Sequence, residues 1–147
     1  MTIRLAKSAG FCFGVNRAVN LVYDLIPTGG CIKTLGPIIH NPQVVEDLAQ
    51  KGVEILDSPE QAKAGDKVVI RSHGVDAATE EVLRQTGAEV VDATCPFVAK
   101  IHRIVRTASQ EGKTVLIAGN PDHPEVQGIV GHCQGECYVA QSPQELE

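Results

Sequence analysis

The 147-residue chain has no tryptophan, only two tyrosines and three phenylalanines, so it offers few rings on which nucleic-acid bases could stack. Its net charge of −5 also argues against a nucleic-acid partner, because an acidic surface does not neutralise a phosphate backbone. No apolar run approaches the roughly 18 residues of a membrane span, and the amino terminus lacks a charged start followed by an apolar core. A chain with no membrane partner and a cytoplasmic location is therefore expected. No loop matches G-x-x-x-x-G-K-S/T or G-x-G-x-x-G, so a nucleotide is not indicated. Low-complexity segments and exact repeats are missing too.

What is present is the composition of an ordinary folded chain, 43% hydrophobic and 21% charged, long enough for one domain or for one and a part. The five cysteines are an odd number at spacings that match no small secreted scaffold. Ligation or catalysis is a better reading of them than disulfides.

Hydrophobic periodicity and breakers give the elements. Residues 1–6 alternate like a strand, with Ile3 and Leu5 on one side. The loop S-A-G-F-C-F-G-V presents Cys12, and Gly14 leads into an amphipathic helix that Pro27 and two glycines stop. Strands are expected over 31–35, 53–56, 67–71, 88–91, 114–118 and 137–140, with helices over 42–50, 77–85 and 96–111 and a further helix start after His123. Asp76 is placed to cap the helix that begins at Ala77. Residues 142–147 read as the start of another helix. This alternation predicts an α/β fold with parallel sheets and crossover helices.

One arrangement recurs: a loop marked by glycine or proline bears Cys or His and runs into a helix. It places Cys12, His40, His73, Cys95 and His123 beyond the carboxyl ends of strands, where open parallel sheets bind ligands. Cys95 lies in E-V-V-D-A-T-C-P-F, just before a proline suited to a first helical turn. Amides at a helix N-terminus favour thiolate and anions, which suits a ligand, although a small buried thiol at a tight crossover has the same pattern. Each histidine read singly is a polar loop residue or a cap. Together the three are donors beside helix N-termini, the makings of a diphosphate cradle without arginine. Glu125, two residues after His123, is either a first-turn acid favoured by the helix dipole or a proton donor whose pKa would have to be raised by burial. Asp92 and Thr94 are expected to fix the turn around Cys95. Cys133 and Cys137 fall loosely within zinc spacing but form a single pair, so a structural role is preferred, and Cys31 is expected in the core.

The stretches G-F-C-F-G-V, H-N-P-Q-V-V, S-H-G-V, D-A-T-C-P and H-P-E-V-Q-G, in that order, resemble the IspH or LytB family of 4-hydroxy-3-methylbut-2-enyl diphosphate reductases. The resemblance implies a two-electron reductive dehydroxylation that yields isopentenyl and dimethylallyl diphosphates in the non-mevalonate isoprenoid route. It implies Cys12 and Cys95 as two of three thiolate ligands to a 4Fe–4S cluster, His40, His73 and His123 as diphosphate-binding residues, and Glu125 as the proton source. A ferredoxin- or flavodoxin-like electron donor would be the partner. Family members are longer and fold as three α/β lobes, a trefoil-like arrangement in which each lobe gives one cysteine. By this resemblance residues 1–95 form a first lobe with the N-terminal ligand loop, residues 96–147 form an incomplete second lobe, and the third lobe with the third cysteine is absent. The chain is thus expected to be an N-terminal fragment, inactive alone. The competing expectations are a phosphate-binding or zinc-stabilised α/β module without redox activity, and a plain α/β interaction domain.

Overall fold

Caps and prolines set where the helices begin. Asn41 Oδ1 accepts a hydrogen bond from Val44 N at 3.1 Å, with Pro42 in the first position of α2 (Pro42–Gln50). Asp76 accepts from the backbone N–H and the hydroxyl of Thr79 at the head of α3 (Ala77–Gln85). The other three helices, α1 (Phe13–Leu25), α4 (Pro96–Gln110) and α5 (Pro124–Val130), begin directly after Cys12, Cys95 and His123. The structure, a computed structural model, describes residues 2–146. None of the described helices is long and apolar enough to cross a membrane.

Among the described residues, six strands form two parallel sheets. In the first, β1 (Ile32–Leu35), β2 (Glu54–Leu56), β3 (Lys67–Ile70) and β4 (Glu89–Asp92) lie in the order β2-β1-β3-β4. Thr34 is level with Val69, and Val69 with Val91. In the second, β5 (Val115–Ala118) pairs with β6 (Cys137–Ala140), Val115 opposite Cys137. Both faces of the first sheet are covered. Val69 packs with Ala18, Val22 and Leu48 of α1 and α2, whereas Val68 and Ile70 pack with Ala62 and with Leu83 of α3. That is why β3 carries apolar residues at consecutive positions and not in alternation. The second sheet is covered less completely: Val115 and Ile117 are half-buried while Leu116 and Tyr138 are exposed.

Two expectations are corrected. Met1 lies outside the described residues, and residues 2–6 form no strand, with Ile3 84% and Leu5 86% exposed. Alternation indicates a strand only where a neighbour supplies a ladder, and neither edge of the first sheet pairs with this segment. Cys31 is exposed, not core. Its carbonyl accepts from Lys67 N at 2.9 Å, but it precedes the first paired residue of β1, Ile32, which is buried. The tail over Pro143–Leu146 is a 3₁₀ turn.

Candidate functional site

In the order β2-β1-β3-β4, the chain leaves β1 towards one edge and returns on its other side, so the crevice between the carboxyl ends of β1 and β3 is the switch point at which parallel sheets bind ligands. The loops over 36–41 and 71–76 flank it. Ser72 N donates to Ile38 O at 3.3 Å, and Cys95 N, from the loop after β4, donates to Ser72 O at 2.9 Å. Three consecutive rim loops are thereby joined by backbone hydrogen bonds, which fixes the positions of His40, His73 and Cys95 relative to one another.

Among the described residues no strand precedes Cys12. It reaches the same rim because α1 presents its N-terminus there. A methyl group on Gly14 would fall within the van der Waals radius of Cys95 Sγ and 3.0 Å from Cys95 Cβ, so the backbone two residues after Cys12 lies against the Cys95 side chain. Arg17, one turn further along α1, donates to the carbonyls of Thr94 (3.2 Å) and Asp92 (3.3 Å), and Asp92 Oδ1 accepts from Thr94 N at 2.8 Å. Asp92 and Thr94 thus shape the turn that presents Cys95. Cys12 is exposed and Cys95 half-buried, both are free thiols, and neither side chain caps its own helix.

The three imidazoles converge. Ring centroids lie 4.6 Å apart for His40 and His73, 6.1 Å for His40 and His123, and 5.9 Å for His73 and His123. His123 comes from the second sheet, where its Nδ1 accepts from Glu125 N at 3.2 Å as the cap of α5. That contact places the ring proton on Nε2, leaving a donor free for a ligand. His73 Nδ1 is buried and has no partner, an orphaned polar atom of the kind a ligand satisfies. An open pocket of about 220 Å³ adjoins the rings, lined by Phe11 and Val15 on either side of Cys12 and Gly14, and by Ile39, His40, Ser72 and His73. Glu125 is half-buried at the start of α5.

Burial pushes His73 down to about 4, with His40, Arg71 and His123 adding to the effect. His102, buried on α4, is likewise pushed down to about 4 by burial, with help from His132 and Arg106 and against Asp92. Both imidazoles hold a proton less well folded than unfolded, where the ordinary value is 6.5. The stability they contribute is therefore complete above pH 6.5 and is lost as pH falls towards 4. The urea midpoint should fall between pH 7 and pH 5 by the equivalent of about 2 kcal/mol, roughly half of the full linkage value to allow for partial solvation. A midpoint unchanged over that interval would contradict the buried neutral state.

Some residues at the site carried no signal in the sequence reading. Gly14 was legible only as a helix leader, and Arg17 as one polar position of an amphipathic helix. Arg71 read as the end of a strand, yet it follows β3 with its Nε buried and unpartnered. Only its position directly before S-H-G-V could have marked it. Cys133 and Cys137 lie apart from the rim. The Cys133 thiol donates to the carbonyls of Gly135 and Glu136, and burial with the neighbouring Cys133 pushes Cys137 up. Among the described residues no group of three or more His, Cys, Asp or Glu side chains is arranged to hold a metal ion.

Comparison with known proteins is consistent with this geometry. The family profile described as LytB protein matches residues 3–147. A 4-hydroxy-3-methylbut-2-enyl diphosphate reductase of Geobacter sp. (strain M21) is 47% identical over 147 residues, covering all of this chain and 52% of the relative. The protein of the same name from Geobacter sulfurreducens is 49% identical over 145 residues, 99% of this chain and 51% of the relative. The chain thus spans about half the length of the curated relatives it matches. A solved structure of (E)-4-hydroxy-3-methyl-but-2-enyl diphosphate reductase superposes with a TM-score of 0.85 at 44% identity, covering 98% of this chain and 52% of that one. The Plasmodium falciparum reductase, 24% identical with a TM-score of 0.90 over 95% of this chain and 44% of its own, shares the fold.

Proposed function

The chain belongs to the LytB family, and from that premise we propose that it is the part of a 4-hydroxy-3-methylbut-2-enyl diphosphate reductase that supplies the diphosphate-binding imidazoles and two of the cluster thiolates. In the reaction, the allylic C–O bond of the substrate breaks, two electrons and two protons are taken up, and water leaves with isopentenyl or dimethylallyl diphosphate. The observation that carries this reading is the shared rim. The backbone two residues after Cys12 lies against the Cys95 side chain, beside a pocket that His40 and His73 line and next to which His123 stands.

The donor set fits part of a 4Fe–4S cluster: two free thiols at helix N-termini, neither spent on capping its own helix. Bound there, the cluster would supply electrons and a Lewis-acidic iron for the substrate hydroxyl. The remaining steps fall to the chain's own side chains. His123 donates through Nε2 and His73 through its unpartnered face to diphosphate oxygens, with His40 closing the third side. Phe11 and Val15 keep water from the apolar middle of the substrate. Half-buried Glu125 delivers the proton that lets hydroxide leave as water. The third thiolate and the rest of the diphosphate site belong to a further lobe, with residues 1–95 and 96–147 forming the first lobe and part of the second. Electrons arrive from a ferredoxin- or flavodoxin-like donor in the cytoplasm.

Anaerobic reconstitution with iron and sulfide tests this assignment. Iron bound by the chain should be substoichiometric to a cubane, should vanish in Cys12→Ser or Cys95→Ser, and should persist in Cys133→Ser and Cys137→Ser. Iron uptake indifferent to Cys12 and Cys95, or zinc held in its place, would overturn it in favour of a module without redox activity.

A further inference from the structure

The loop that carries His73 belongs to the first sheet, yet it is gripped from the second. His132, 3% exposed in the turn after α5, lies with Nε2 3.0 Å from Val75 O. Its Nδ1 is 2.7 Å from Arg106 Nη2 on α4. A guanidinium can only donate, so Nδ1 is the acceptor, the ring proton sits on Nε2, and it is donated to Val75 O. Arg106 thereby fixes the tautomer that holds the loop. Next to this bond, Gly74 takes φ +71, and a methyl group there would come 2.7 Å from His102 Cε1. The His102 ring stacks on His132 at a centroid distance of 4.2 Å.

His73 therefore sits between two anchors. On one side Ser72 is joined by its backbone to the His40 and Cys95 loops; on the other Val75 is held by His132. The same helix α5 bears His123 at its N-terminus and precedes His132 at its C-terminus. One short rigid element thus carries one imidazole of the cluster and the clamp on another. We propose that His132 is a positioning residue that sets the spacing of His73 and His123 across the two sheets, and so shapes the polyanion site. It touches no ligand itself. The inference rests on the diphosphate reading only for what the spacing is for.

The test uses imidazole NMR of the chain together with calorimetric titration by inorganic pyrophosphate. His132→Phe keeps the ring and removes the donor; His132→Gln places an amide N–H near the former Nε2. In His132→Phe the ring-proton cross-relaxation of His73 with His123 and His40 should weaken, and pyrophosphate affinity should fall roughly three- to tenfold, the effect of one unmade hydrogen bond. His132→Gln should restore both, the affinity to within about twofold. If His132→Phe does not fold, His132→Asn, too short to reach Val75 O, is read in the same spectra. Unchanged His73 signals in the donor-free variant would overturn the proposal while leaving the diphosphate reading intact. Signals that shift in a chain that binds no pyrophosphate would uphold the clamp and remove the diphosphate reading.

Discussion

Gly14→Ala should destabilise the chain by about 2 kcal/mol, although alanine is the better helix former by about 1 kcal/mol. Gly14 sits in the first turn of α1 at a backbone angle that alanine accepts, so conformational freedom is not what the position needs. It needs space. The added methyl would overlap Cys95 Sγ and stand 3.0 Å from Cys95 Cβ, and Cys95 cannot withdraw because its N–H is bonded to Ser72 O. Relief must come from moving the start of α1, and with it Cys12, away from the Cys95 loop, which stretches the Arg17 bonds to Asp92 and Thr94. Urea denaturation measures the loss. A double-mutant cycle identifies its cause: against Cys95→Ala, which removes the sulfur, the same Gly14→Ala change should cost at least about 1 kcal/mol less. Equal cost in both backgrounds, or a net stabilisation in the native one, would mean that the two thiol loops do not meet there.

His73→Ala should weaken inorganic pyrophosphate binding by roughly 10- to 100-fold, the range for a charge-assisted hydrogen bond in a partly dry site. His73 is the most shielded of the three imidazoles, and its buried Nδ1 has no protein partner. The pH dependence gives a sharper test. Without ligand, burial and neighbouring positive charge keep the ring neutral down to about 4. A polyanion reverses the balance of charge and raises that value, so binding takes up protons and tightens as pH falls from 7 towards 5. The signature is a binding enthalpy that changes with the ionisation enthalpy of the buffer, and His73→Ala should reduce it along with affinity. Binding that ignores both pH and buffer, with the alanine variant equal to the native chain, would show that this imidazole does not face the ligand.

Helices α2 and α3 were legible because Asn41-Pro42 and Asp76 are local signals: the capping side chain and the backbone N–H that donates to it lie within one turn. Strand β3 was legible because Val68, Val69 and Ile70 are apolar in succession and both faces of the sheet are covered. Residues 2–6 misled for the opposite reason. Ile3 and Leu5 alternate, but a strand is a relation to another strand, and no sequence window contains the partner. Cys31 misled because hydrophobicity ranks residue types, whereas burial depends on which layer of the sheet a residue meets. The site residues showed themselves as chemical types in loops, and the strand–loop–helix rhythm held for His40, His73, Cys95 and His123 but not for Cys12, which has no strand before it among the described residues. What the rhythm could not supply was the set of supports. Gly14 matters through a contact 81 positions away, and His132 through a carbonyl 57 positions away. Neither side chain stands out until the two sheets are set against each other.

The all-parallel pairing also bears on how the chain reaches this state. Every adjacent pair of strands is separated in sequence by at least one intervening helix or helical turn, so no hairpin can form early and seed the rest. β1, the second strand from one edge, waits for β3 before its inner side is matched, and the rim that gathers Cys12, His40, His73 and Cys95 waits for β4. Ordering comes late and nearly all at once, after most of the loop-closure entropy has already been spent. Nascent or partly unfolded chains therefore expose their thiols singly, before the neighbours that share the rim are in place.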